Sequence, residues 1–493
     1  MSGASGTSRC VHGRVVLLTL LAAAGARATP TGAQNEQRPI SLLLEEEFRG
    51  GTETREQRPE RQHLTERAEH VLSDFIDIGG YLRSGYGRSG AGGPMIGFQA
   101  PGAASKYRLG NEAETYGELS FGKNLYLPGT FELDGTDSAP AALAGPVAHV
   151  QARVSFFNPY NSFGSADATA VGLPEAWASV GQVLHFAPTT KFWAGNRFYR
   201  RHDIHVTDFY YWNTSGGGGG IEDVPLGPGR IAFAWIGWGS TSGLSYVPQP
   251  DPENRAGFSK STYDLRAYDL PLLFGHVELG LAYANAVSGV DQSGRKGPRS
   301  HGFAGTLVHT IQGFISEDGV QKLSIQYGTG PARTFTAGFE TVSLPQGSFI
   351  KPEANDYARV RVTESFTANV GEHFSVGPVA IFQLSREGSP GDDQLWVSAG
   401  ARPIVHFTRH VSLAVEGGLD WVKDEAAATE GALAKLTVAP QISIDNRWSS
   451  RPVVRAFVTG AFWTDDFVGE VGGVDYATQN EGLNAGVQME AWW

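Results

Sequence analysis

From Phe75 onward, apolar and polar residues alternate in segments of about ten, separated by clusters of Gly, Pro, Asp and Asn. Val150, Ala152, Val154 and Phe156 share an apolar parity against Gln151, Arg153 and Ser155. Val277, Leu279, Leu281 and Tyr283 repeat the pattern, as do Leu436, Val438, Ile442 and Ile444. A period of two belongs to strands whose two faces meet different surroundings. No apolar run downstream approaches the roughly 18 residues of a membrane-crossing helix. The expectation is therefore an all-β protein, and a soluble sandwich would alternate in the same way.

The last strand separates the two cases. Val487, Met489, Ala491 and Trp493 take one face, while Gln488, Glu490 and Trp492 take the other. Lipid outside and a wet lumen inside account for both faces, and such an ending resembles that of bacterial outer-membrane barrels. In hydrocarbon every amide must be paired, so an all-strand chain spans only as a closed barrel. Phe75 to Trp493 is long enough for about 16 to 18 strands, and a barrel that wide keeps an aqueous channel.

The N-terminus fits export. Arg9 and Arg14 precede the apolar run Val15 to Ala24, and small residues follow it, which reads as a secretory signal segment over 1–33. Cys10, the single cysteine, lies ahead of that run, where a lipid-anchor cysteine would follow it. Its removal leaves no thiol, and a disulfide framework or cysteine-zinc cluster is excluded. Residues 34–74 are dense in charge, from Glu45-Glu46-Glu47 to Glu69 with Arg49, Arg55, Arg58, Arg61 and Arg67. We read them as a periplasmic extension, disordered or in a short helix. The 493 residues carry a net charge of −12, only 18% charged residues and 64 glycines. Without clustered Lys and Arg, nucleic acid is not an expected partner.

Aromatics recur on the polar parity. Tyr81 and Arg83 share a face with Asp77 against Ile78 and Leu82; Tyr116 and Glu118 oppose Leu119 and Phe121; Trp492 alternates with Glu490. One account is the interfacial girdle of a barrel. The other is stacking on sugars, whose C–H faces bury against rings while their hydroxyls need donors and acceptors such as Arg83, Arg108 and Glu118. The densest polar-aromatic stretch is Phe192 to Val224. Its His202, Asp203 and His205 lack the spacing of a helical zinc motif, and no metal or other cofactor is expected. Gly216 to Gly220 lacks the Lys-Ser/Thr ending of a phosphate loop and reads as a flexible turn. No nucleophile elbow or persuasive carboxylate pair appears, so catalysis is not indicated.

These residues resemble the maltoporin family, the sugar-specific porins, over essentially all of 75–493. The matching segments are Gly80 to Gly85, Ser105 to Glu112 with Tyr116 to Leu119, Trp193 to Gly195 with Arg201 to His205 and Asp208 to Trp212, Trp448-Ser449 with Arg451-Pro452, and Gln488 to Trp493. The resemblance implies a homotrimer of transmembrane antiparallel β-barrels of about 18 strands, each narrowed by an inward-folded constriction loop. It implies an aromatic slide of Tyr81, Tyr116, Trp448 and Trp492, with Tyr210 at the narrowing. The ionisable track beside it is Arg83, Arg108, Glu118, Arg201, Asp203 and Asp208. Three departures stand out: no slide aromatic near Val320, Pro174 where an arginine is expected near Glu175, and no counterpart between Pro159 and Leu173 for a neighbouring subunit's aromatic. They imply a slide shortened at its outer end.

The function expected is passive diffusion of maltose and malto-oligosaccharides across a bacterial outer membrane, with membrane lipid as the other partner. A porin for sucrose or β-glucosides and a general diffusion porin are the alternatives. A barrel phospholipase or protease is a third reading, from another class.

Overall fold

The computed structural model of the protein describes residues 76–126, 146–158, 170–240, 258–287, 299–344, 347–350, 353–388 and 391–493. The signal segment and the charged extension expected from the sequence lie outside the described residues. The strands are β1 (Asp77–Ser89), β2 (Thr115–Tyr126), β3 (Val147–Asn158), β4 (Ala170–Gly181), β5 (Lys191–Arg197), β6 (His202–Ile204), β7 (Phe209–Trp212), β8 (Gly216–Leu226), β9 (Gly229–Ser240), β10 (Phe258–Leu272) and β11 (Gly275–Val287). They continue as β12 (Arg299–Gln312), β13 (Val320–Thr329), β14 (Thr341–Leu344), β15 (Gly347–Ile350), β16 (Ala358–Val370), β17 (Phe374–Arg386), β18 (Gln394–His406), β19 (Val411–Asp424), β20 (Thr429–Ser443), β21 (Val453–Trp463) and β22 (Glu481–Trp492).

Eighteen of these form one sheet, and the pairs β6–β7 and β14–β15 stand apart from it within connections. β1 is antiparallel to β2, with Tyr81 opposite Glu118, and to β22, with Tyr81 opposite Trp492. The sheet therefore closes on itself and has no edge to leave unpaired. Its sidedness is inverted relative to a soluble protein. Leu281, Ile442, Val454 and Val487 are exposed on the outside, whereas Arg266, Lys260, Glu416 and Thr437 are buried within. That is the distribution a hydrocarbon solvent demands.

Short turns at Gly227-Pro228, Leu273-Phe274 and 371–373 mark one end of the barrel, and both chain termini of the barrel return there, with Trp493 N–H donating to the Gly80 carbonyl at 3.2 Å. Short turns belong to the periplasmic end. Connections at the opposite end are longer, among them 90–114, 198–215 and 330–357.

More than the one long connection expected folds inward: 330–338 docks on Lys260, which donates to Thr334 and to the Gly338 carbonyl at 2.8 Å, and two others carry expected site residues. In the first, Leu109 N–H donates to Glu416 at 2.9 Å, and Lys435 and Thr437 donate to the Leu109 carbonyl at 2.7 and 2.9 Å. Gly110 packs so closely that a Cβ would lie 2.2 Å from Thr459 Oγ1, and its φ is 65°. In the second, Arg361 donates to the Tyr211 carbonyl at 2.8 Å, and the Arg266 guanidinium covers Trp212 at 3.7 Å.

One expectation is corrected. Gly216 to Gly220 is no flexible turn; it opens β8 and is paired on both sides, with Gly217 opposite Asn196 and Gly237. Barrel closure requires every amide to be used, which overrides glycine's weak strand preference. Glycine is needed here, because a Cβ at Gly218 would sit 2.1 Å from the Trp235 carbonyl oxygen and one at Gly220 2.4 Å from that of Phe233.

Candidate functional site

The alternation of β22, β1 and β2 turns Trp492, Tyr81 and Tyr116 to the same inner wall, and the register makes them neighbours. Trp492 and Tyr81 have nearly parallel planes, 15° apart with centroids at 6.5 Å, and Tyr81 and Tyr116 lie 6.0 Å apart. Three rings thus run continuously across three strands. Their tips are tied down: Tyr81 accepts from Arg108 at 2.7 Å and donates to Glu490 at 3.1 Å, while Tyr116 donates to Glu118. A ring held this way offers its flank to a ligand without first losing rotamer freedom.

Charges surround the rings. Glu490 lies 2.9 Å from Arg451, 3.1 Å from Arg455 and 3.2 Å from Arg108. Arg108 also pairs with Glu112 at 3.0 Å, and Arg83 reaches Glu114 at 2.6 Å while lying 5.1 Å from the Tyr116 centroid. Burial opposes the charge on Arg108, but Glu112 and then Glu490 outweigh it and hold the pKa well above its ordinary value. The guanidinium of Arg451 covers Trp492 at 4.0 Å, a cation–π contact.

The second inward connection supplies the facing side. Arg201 lies over Phe198 at 3.6 Å and over Tyr210 at 4.8 Å, and Tyr210 remains 37% exposed, so its ring is open to the passage. Burial pushes the Tyr210 hydroxyl up to about 12; Arg201 works against this, and Asp203 and Asp208 with it. Asp208 occupies a turn with φ of 53°, tied back by its N–H to the His205 carbonyl. His205 touches the inner wall, with Nδ1 3.1 Å from Arg108, Nε2 3.4 Å from Arg451 and its ring edge-on to Trp492 at 5.5 Å. Burial, and then Arg108, lower its pKa well below the ordinary value. His202 turns elsewhere, to Glu278 at 3.0 Å.

Among the expected residues, Tyr81, Tyr116, Trp492, Arg83, Arg108 and Glu118 are thus one constellation, and Arg201 and Tyr210 form a second group on the inward connection. Trp448 stands apart, in the periplasmic turn after β20, 5.6 Å from the Arg402 guanidinium. It is linked to Trp492 through Arg451, which donates to its carbonyl at 3.3 Å and covers the Trp492 ring. Beside Glu175, where Pro174 replaces an expected arginine, Arg153 provides the cation, 2.6 Å from Glu175 and 2.9 Å from Glu118. The stretch 159–169 lies outside the described residues; Val171 and Leu173 after it are exposed and aliphatic. Glu490, Arg451 and Arg455 were not singled out from the sequence. The parity of the last strand placed Glu490 on the wet face, yet nothing local brings its three arginines to it.

The model of the LamB porin family matches residues 76–493. The chain belongs to the LamB porin family. Among solved structures with a similar course, OmpF of Salmonella typhi in complex with daunomycin, at 9% identity, covers 85% of this chain and 97% of its own with a TM-score of 0.43. OpdK of Pseudomonas aeruginosa, at 11% identity, covers 85% and 98% with a TM-score of 0.39, and OccAB1 of Acinetobacter baumannii, at 8% identity, covers 85% and 97% with a TM-score of 0.45. As a member of that family, this LamB porin is an outer-membrane channel.

Proposed function

We propose that this porin is selective for sugars, with maltose and malto-oligosaccharides as its substrates, moving by passive diffusion. The observation that carries the proposal is the continuous run Trp492–Tyr81–Tyr116 bordered along its length by Glu490, Arg108, Arg83 and Glu118. A sugar ring stacks its C–H face on such rings and burial returns about 25 cal/mol per Å², while the flanking ions exchange hydrogen bonds with its hydroxyls. Each site stays weak, on the order of 1 kcal/mol beyond the area term, so a chain of sugars steps from one ring to the next instead of lodging. A general diffusion pore has no use for aromatics on its wet wall.

The test is conductance in planar bilayers. Maltotriose and maltohexaose should block the ion current with saturable affinity, and an unchanged current through the millimolar range would refute selectivity. Competition by sucrose and aryl β-glucosides ranks the substrates. The proposal includes assembly as a homotrimer, export by a cleaved segment near residues 1–33 and a periplasmic position for 34–74. Chemical cross-linking in the native membrane should then stop at three subunits.

A further inference from the structure

The outward face of β12, β13 and β16 carries polar residues among apolar ones. His309, Leu323 and Glu364 are in register across the three strands, one row in from Ile311, Gln321 and Phe366. Their parity is opposite to that of Val308, Ser324 and Thr363, which are buried inside, so they point away from the lumen. The row lies close to the periplasmic end, since β12 ends at Gln312 and β13 begins at Val320.

A groove of about 370 Å³ opens there, with Phe314 and Phe366 packed edge to face at 5.2 Å and with Ile311, Pro378 and Ala380 beside them. Its hydrogen bonding is unbalanced toward acceptors. Gln321 donates to Glu364 at 2.6 Å, but its own Oε1 has no partner. His309 donates Nε2–H to the Leu272 carbonyl at 3.3 Å. A carboxylate and an unpartnered amide oxygen are thus gathered on a surface that faces lipid, where a charged group is costly and marks a partner.

We propose that this groove binds a phospholipid of the periplasmic leaflet through a primary ammonium headgroup, Glu364 taking the ammonium and the apolar walls taking an acyl chain. The charge is complementary, and three N–H donors answer the excess of acceptors. A trimethylated headgroup carries the same charge but donates nothing.

Native mass spectrometry of the purified full-length protein tests this. The protein is exchanged into mixed micelles holding equal amounts of phosphatidylethanolamine and phosphatidylcholine of identical chains. The wild type should retain the ethanolamine lipid in about tenfold excess, the worth of one charge-assisted hydrogen bond. Glu364→Gln should abolish the excess, and Gln321→Ala should reduce it. Equal retention of the two lipids by the wild type overturns the proposal, as does an excess that survives Glu364→Gln. A change in subunit number in Glu364→Gln with lipid retention unaltered would make the groove a protein contact and would equally overturn it. Sugar block is a separate readout, so failure here leaves the channel proposal untouched and the reverse holds as well.

Discussion

Tyr81 is the middle ring of the run Trp492–Tyr81–Tyr116, and two substitutions separate its ring from its hydroxyl. In Tyr81→Phe the ring keeps its place 6.0 Å from Tyr116 and 6.5 Å from Trp492. The hydroxyl is lost, yet Arg108 retains Glu112 at 3.0 Å and Glu490 at 3.2 Å, so no buried charge is stranded. Sugar affinity should fall by no more than about threefold, as one modest net hydrogen bond allows. Tyr81→Ala removes the ring and splits the run. One sugar face of roughly 50 Å² at about 25 cal/mol per Å² is worth about 1.2 kcal/mol, and stacking adds about 1 kcal/mol. Together they come to about 2 kcal/mol, on the order of thirtyfold in Kd. The assay is titration of ion-current block by maltotriose in planar bilayers, with current noise giving the rates; the loss should appear mainly as faster release. Equal affinities for the Phe and Ala variants, or wild-type affinity in Tyr81→Ala, would refute stacking as the source of selectivity.

Tyr210→Ala should widen the passage and raise single-channel conductance; a decrease would contradict the role of the second inward connection as the narrowing. Glu416 neutralises Arg402 at 2.5 Å and Lys435 at 2.8 Å and also holds Leu109, so Glu416→Gln strands two buried cations. It should cost about 3–5 kcal/mol in urea unfolding and loosen the first connection, seen as faster proteolysis near Leu109. His205 has a folded pKa below its unfolded value of about 6.5. The unfolded chain therefore binds the proton first, and the stability His205 confers is full above about pH 6.5 and declines as pH falls through the depressed folded pKa. Urea midpoints of wild type and His205→Asn, compared between pH 7.5 and 5, should show a shallower acid decline in the variant. Arg153→Met leaves Glu118 and Glu175 without their cation and should weaken sugar block several-fold while making the pore more cation-selective, read from reversal potentials.

Legibility from the sequence followed the range of the interactions. Period-two alternation is local, so the strands, their inward and outward faces, and the wet placement of Tyr81, Tyr116 and Trp492 were visible before any fold was known. The pairing of β1 with β22 was foreseen only in general, because hydrocarbon forbids an open edge. One element misled, and another was legible only in part. Glycine's conformational freedom read as a turn at Gly216 to Gly220, where crowding by the Trp235 and Phe233 carbonyls demands the missing side chain within a strand. The first long connection was legible only through Arg108, carried over by resemblance, because its anchors Glu416, Lys435 and Thr437 lie more than three hundred residues away.

By itself, then, the chain determined a barrel and which side chains line it, since alternation is set by the geometry of each strand against two solvents. What only the tertiary structure decided is how those side chains are coupled. Glu490 meets Arg108, Arg451 and Arg455 because an infolded connection, a periplasmic turn and an adjacent strand converge on it. Electrostatic neighbours at such separations are created by closure of the sheet, and no local pattern encodes them.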